Sequence, residues 1–240
     1  MIPKIIHYCW FGRNPLPPLA VKCITSWKKY FPDYEIKEWN EDNFNVNIIS
    51  YTQEAYEAKK YAFVSDYARF WILYYYGGLY FDTDVEVIKP MDDIIARGAF
   101  MGCENEISCA PGLGLGCTPG LEIYKKLLER YGTFHFLNTN GTYNQTTVVK
   151  YTTDLLIEYG LKNIPDIQEV DGIIIYPKDF FCPIDFQTKK KTITSNTRTI
   201  HHYAASWYGT KEKVYNIMTK VFGKKLAETC RNLLRHWGFV

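Results

Sequence analysis

The 240-residue chain has no run approaching the ~18–20 consecutive apolar residues of a membrane-spanning helix. It has no C-x-x-C pair, and its seven cysteines (9, 23, 103, 109, 117, 182 and 230) are odd in number. That pattern suits reduced thiols and excludes a disulfide framework. The opening MIPKIIHYCWFG lacks the long apolar stretch and small-residue cleavage site of a secretory signal. Together these features predict a cytoplasmic protein, in which the sequons at Asn140 and Asn144 carry no glycan. The formal charge of +2 is too small to argue for a nucleic-acid partner. No G-x-S-x-G and no GK[ST] is present, and the glycine-rich stretch Pro111–Gly116 puts Cys117 where G-x-G-x-x-G needs its third glycine. The sequence therefore carries neither a serine-hydrolase elbow, a P-loop nor a dinucleotide fingerprint.

Aromatic residues, by contrast, are abundant: 20 Tyr, 14 Phe and 6 Trp, or 17% of the chain. Flat apolar faces with polar edges suit cores and also clefts for sugars and nucleobases. Ile2–Tyr8 reads as a buried strand and Leu19–Tyr30 as a helix, while Tyr34–Trp39 alternates with period two. A β-α-β opening predicts a mostly parallel sheet flanked by helices. Glu54–Tyr76 is helix-rich, with Ser65 placed to cap a new helix at Asp66, and Gly77-Gly78 stops it. Leu79–Phe81, Val85–Ile88 and Ile173–Tyr176 read as strands, and Leu121–Tyr131 and Thr146–Tyr159 as helices. No internal repeat or long linker divides the chain, so residues 1–210 are expected to form one domain. Residues 211–240 hold seven Lys/Arg against Glu212 and Glu228. They read as a basic, amphipathic helical tail, either packed on the same domain or facing an anionic membrane surface.

The acids that could do chemistry stand at Asp82-Thr83-Asp84, where a strand runs out. In extended chain, positions i and i+2 share a side, so both carboxylates should face one pocket. Clustered carboxylates favour a divalent cation with oxygen ligands, Mg²⁺ or Mn²⁺. D-x-D alone is common, but here its flanks Tyr80-Phe81 and Val85 are buried-strand residues. Asp66 and Arg69 are three apart on one helix face. They form either an ordinary intrahelical ion pair or a fork that grips a polyhydroxylated ligand. His201 and His202 are adjacent, so their side chains diverge and one of them could complete a carboxylate metal site. Ser206-Trp207 follows, with an indole N–H able to donate.

Three blocks of this chain resemble the DXD-containing glycosyltransferases of family 32, a group that includes capsular polysaccharide transferases and mannosyltransferase-type enzymes. They are Ile2-Pro-Lys-Ile-Ile-His7-Tyr-Cys-Trp10; Ser65-Asp66-x-x-Arg69 with Leu73 and Gly77-Gly78-x-Tyr80-x-Asp82-x-Asp84; and His201-His202-x-x-x-Ser206-Trp207. The resemblance implies a GT-A fold, a Rossmann-like α/β domain, and retaining transfer from a nucleotide sugar to a saccharide or lipid-linked acceptor. It implies that Tyr8 and Trp10 lie at the nucleoside, Asp66 and Arg69 at the donor sugar, and Tyr80 and Asp82 beside the sugar, ribose and metal shell. Asp84 would ligate the metal, with His202 preferred over His201 as second ligand, and Ser206 and Trp207 would hold the diphosphate. Retention needs a nucleophile under the ring or same-face attack; the sequence offers Asn144-Gln145 as the sugar-facing candidate, and same-face attack is preferred. Two rival classes remain. A nucleotidyltransferase would need a basic Gly-rich loop, which is missing; a non-catalytic carbohydrate-binding module would not explain the buried acids.

Overall fold

The structure is a computed structural model that describes residues 1–185 and 188–204. Met1–Tyr203 form one compact unit; the expected boundary at residue 210 and the basic tail lie outside the described residues. The chain runs β1 (Ile5–Cys9), α1 (Pro18–Tyr30), β2 (Glu35–Trp39), α2 (Ser50–Glu57), α3 (Tyr61–Tyr76), β3 (Gly78–Tyr80), β4 (Val85–Val87), α4 (Asp92–Ile95), β5 (Phe100–Gly102) and β6 (Leu115–Cys117). There follow α5 (Glu122–Tyr131), α6 (Val148–Glu158), β7 (Gln168–Val170), β8 (Ile173–Tyr176), α7 (Lys178–Phe181) and β9 (Thr199–His201).

Seven strands form one sheet in the order β2-β1-β3-β6-β5-β8-β7. β6 and β7 run against the other five, so the sheet is mixed with a mostly parallel sense. Strand alternation sorts the core into two layers. Cys9, Tyr80, Met101, Leu115 and Ile175 face α2, α3, α5 and α6. Ile6, Tyr8, Leu79, Phe100 and Ile174 face α1, α4 and α7. Helices on both faces of such a sheet make an α/β architecture, and the aromatic excess is spent largely here. Trp27, Trp39, Tyr80, Phe70 and Phe81 are among its fully buried side chains.

The helical stretch before Gly77 breaks at Ala58–Lys60, not at Ser65. Lys59 takes a positive φ of 58°, the left-handed position that ends many helices, and Lys60 N–H returns to Ala55 O at 2.8 Å. Ser65 instead sits inside α3, its hydroxyl donating to Tyr61 O at 3.2 Å. The glycine-rich stretch supplies β6, which pairs antiparallel with β3.

His7 ties β1 to β2 and to the end of α3. Its Nδ1 accepts from the Trp39 indole at 3.0 Å and its Nε2 donates to Gly77 O at 2.9 Å, which fixes a neutral ring. Burial, reinforced by Lys37, pulls its pKa from 6.5 to about 4, against the raising effect of the Gly77 bond. The unfolded chain therefore binds the extra proton between those values, and stability rises with pH across that window. Lowering the pH from 7 to 5 should cost about 2 kcal/mol through this residue alone. Urea unfolding at the two pH values checks this, and His7→Gln should flatten the difference.

Candidate active site

Gly77 ends α3 and β3 starts at the next residue, so helix and strand fold back on each other with almost no loop. Gly77 and Gly78 have φ of 61° and 97°, and a Cβ on Gly78 would lie 2.7 Å from Ile5 O. Side chains are excluded there by strain and by space. Seven residues of helix back to Arg69 and four of strand on to Asp82 cover similar lengths, roughly 10 and 13 Å. The hairpin thus brings Arg69 level with Asp82.

Arg69 is buried and serves both acids. Its Nη2 donates to Asp66 Oδ1 at 2.8 Å, its Nη1 to Asp82 Oδ2 at 3.4 Å, and its Nε to Ser65 O at 3.1 Å. The guanidinium lies 5.1 Å from the centre of the Tyr80 ring, whose hydroxyl donates to Asp82 Oδ1 at 3.0 Å. Burial pushes the Asp66 carboxyl up to about 7; Arg69 opposes the shift and Asp82 adds to it. Burial opposes charge on Arg69 too, but Asp82, Tyr80 and Asp66 outweigh it and hold its pKa above the usual value.

Asp82-Thr83-Asp84 is a turn and not extended chain, closed by Val85 N–H on Asp82 O at 3.0 Å. Aspartate at the first position of such a turn is favoured. Asp82 turns to Arg69 and Tyr80, while Asp84 turns to His201. α1 holds the far side of this turn. The Trp27 indole donates to Val85 O at 2.8 Å, and Val87 N–H donates to Ser26 Oγ at 2.9 Å.

β4 pairs antiparallel with β9, which sets Val85 opposite His201. His201 Nε2 then lies 3.2 Å from Asp84 Oδ1. Burial disfavours a charged His201, but Asp84, with Asp82 and Glu104 behind it, outweighs that and raises its pKa. His202, preferred on sequence, points to a different acid. Its Nε2 pairs with Glu86 Oε2 at 2.8 Å, which also takes Lys22 Nζ at 2.8 Å. Neighbours on a strand face opposite ways, and the register gives Asp84 to His201.

The remaining expected positions are spread more widely. Tyr80 is buried beneath Arg69 as a support for Asp82. The Tyr8 hydroxyl donates to Glu38 Oε2 at 2.6 Å, and its ring packs with Trp27 on the other face of the sheet. Trp10 follows β1, half-buried, and donates to Asn14 O at 2.6 Å. Asn144 is engaged within its own loop, donating to the Tyr151 hydroxyl at 2.8 Å and accepting from Thr146 N–H at 3.1 Å; Gln145 is exposed. The structure does not join either to the Asp82–Asp84 turn by any of these bonds. Ser206 and Trp207 lie outside the described residues.

Two participants were not read from sequence. Gly112 O accepts from Asp82 N–H at 3.0 Å, and a Cβ there would stand 2.0 Å from Asp82 Oδ2 and 3.3 Å from Arg69 Nη1. The only sequence signal was an unexplained glycine. Gly112→Ala should therefore displace the Asp82 carboxylate and cut activity at least tenfold, with the backbone unstrained; steady-state rates beside a thermal melt check it. Glu104, just beyond β5, is the other, a half-buried acid whose charge reaches His201. Burial raises its pKa against the lowering effect of His201.

Among the described residues no three His, Cys, Asp or Glu side chains converge as a closed metal cage. The donor set still fits a hard divalent cation. Asp84 and His201 stand together, Asp82 is near, and such ions take one or two carboxylates and complete their shell with substrate phosphates and water.

The site is thus an acidic D-x-D turn just beyond β3 of an α/β sheet, backed by an arginine that bridges two aspartates. Residues 17–101 match the family described as the glycosyltransferase sugar-binding region containing DXD motif. The inositol phosphoceramide mannosyltransferase 1 of Schizosaccharomyces pombe is 31% identical over 42% of this chain and 33% of its own length. Mannosyltransferase 3 of the same yeast is 33% identical over 56% and 40%. An uncharacterized glycosyltransferase, L373, of Acanthamoeba polyphaga mimivirus is 28% identical over 76% and 78%. The chain thus spans a third to two-fifths of the yeast relatives. The likeness centres on the DXD-containing sugar-binding region, carried here on an α/β fold with a mostly parallel sheet. Among solved structures, the PaToxG glycosyltransferase matches at TM-score 0.43 and 20% identity, covering 65% of this chain and 69% of that one. A glycosyltransferase involved in glycosylation of the PBCV-1 major capsid matches at TM-score 0.47 and 14% identity, covering 90% and 100%.

Proposed function

We propose that the protein is a retaining, divalent-metal-dependent transferase that moves a hexose or N-acetylhexosamine from a nucleotide sugar, UDP-linked on our reading, to a saccharide or lipid-linked acceptor in surface polysaccharide synthesis. One observation carries this reading: Arg69 bridges Asp66 and Asp82 while Asp84 meets His201, so acids and cations meet on one short turn. The mannosyltransferase names of the yeast relatives support a glycolipid among the acceptors. Asp66 and Arg69 orient the sugar hydroxyls, an acceptor and a fork donor side by side. Trp10 takes the nucleoside, and Ser206 and Trp207 donate to the diphosphate. Asp84, His201 and Asp82 would hold Mn²⁺ or Mg²⁺, which would supply Lewis-acid neutralisation of the leaving diphosphate. Tyr80 and Arg69 keep the Asp82 carboxylate facing that end of the site.

With Asn144 committed to its own loop, same-face attack is the route we favour. The acceptor oxygen bonds to the anomeric carbon as the carbon–phosphate oxygen bond breaks, and the acceptor proton passes to the leaving phosphate oxygen. Incubation with a panel of nucleotide sugars, with Mn²⁺ or EDTA, tests the reading. Metal-dependent donor hydrolysis supports it; no turnover of any donor counts against it.

Among the described residues no helix is long and apolar enough to cross a membrane. We place the protein in the cytoplasm, with the seven basic residues of 211–240 allowing reversible contact with an anionic membrane face. Each is worth about 1 kcal/mol near such a surface. Sedimentation with anionic vesicles should show binding at low salt that is lost at high salt; no binding at low salt removes this part of the proposal.

A further inference from the structure

Tyr51 in α2 and Tyr131 at the end of α5 are fully buried, and among the described residues neither hydroxyl has a hydrogen-bond partner. Their rings meet edge to face with centroids 5.2 Å apart. Tyr131 also contacts Tyr67, the residue after Asp66 on α3, at 5.9 Å. The Asp66 charge reaches both hydroxyls, and the Arg69 charge reaches that of Tyr131.

Buried phenols in native interiors are almost always paired, because an unmet hydroxyl forfeits its hydration with nothing in return. Phenylalanine at either position would make the same ring contacts without that loss. Two such hydroxyls, buried in the field of one carboxylate, are groups of the kind that an internal water partners inside a protein. We propose that Tyr51 and Tyr131 are positioning residues for Asp66, donating to a shared internal water that in turn donates to the Asp66 carboxylate. The arrangement gives Asp66 a second support beside Arg69. It rests on the donor-sugar reading above only for its consequence: a carboxylate held from two sides presents one fixed orientation to the sugar hydroxyls.

The test is a double-mutant cycle on unfolding, which needs no substrate. Tyr51→Phe and Tyr131→Phe keep the rings. Each should lower Tm by about 2–4 °C in the wild-type background and have no such effect in Asp66→Ala. Equal losses in both backgrounds, or a gain in Tm in the wild type, overturn the proposal. A high-resolution crystal structure gives a second reading should Asp66→Ala fail to fold. A water within hydrogen-bond distance of both hydroxyls and the carboxylate supports it, and a dry site overturns it. In the active enzyme each Tyr→Phe change should raise KM for the nucleotide sugar about tenfold, leaving nucleoside diphosphate affinity unchanged. If the cycle shows coupling and KM does not move, the tyrosine support stands and the assignment of Asp66 to the donor sugar falls.

Discussion

Asp84→Ala should lower turnover by about three orders of magnitude or more, since the Lewis-acid stabilisation lost with a direct ligand is worth several kcal/mol. The fold should survive. Asp84 lies within a turn that Trp27, Val85 and Asp82 hold through backbone and indole bonds, none of which uses its carboxylate. EDTA should mimic the loss in the wild type, and added Mn²⁺ should reverse it there but not in the variant. His201→Ala should follow Asp84→Ala, whereas His202→Ala, which removes a partner of Glu86, should cost much less. In Asp84→Ala the His201 pKa should also fall, because the acid that raises it most is gone; histidine NMR reads this directly. Wild-type turnover by a folded Asp84→Ala protein would remove the metal assignment.

Arg69→Ala should be the most destabilising single change at the site. It leaves Asp66 buried and Asp82 partly buried without their shared cation, and breaking a buried pair costs about 3–5 kcal/mol. Arg69→Lys is not conservative. An ammonium keeps the charge but cannot serve Ser65 O, Asp66 and Asp82 with one planar fork. Arg69→Lys should fold, with KM for the nucleotide sugar raised more than the affinity for the free nucleotide is weakened. Unfolding curves, donor kinetics and nucleotide titration separate the two effects. Unchanged donor kinetics in a stable Arg69→Lys protein would reduce the fork to a structural ion pair.

Much of this was legible in the sequence because it depends on local pattern. A short buried run marked β1, period-two alternation marked β2, Ile173–Tyr176 read as the strand β8, and Gly77-Gly78 marked the end of the helix before β3. The helix break was not legible. A lysine occupies the left-handed position that glycine usually signals, while Ser65, a good cap by type, spends its hydroxyl on the preceding turn. The geometry of the two acids was misread because Asp82-Thr83-Asp84 closes a turn, so its carboxylates part toward Arg69 and His201. Choosing between His201 and His202 required the register of β4 against β9, a pairing across more than a hundred residues. The need for glycine at 112 likewise depends on a neighbour, Asp82, 30 residues earlier.

The account stands most directly on where a metal and a donor settle. A crystal structure with Mn²⁺ and a nucleotide sugar, the metal located by its anomalous signal, decides it. The account predicts Mn²⁺ on Asp84 and His201 with the diphosphate beside it, and the sugar against Asp66 and Arg69. Metal on His202 and Glu86, or a donor bound away from the Asp82–Asp84 turn, would contradict it.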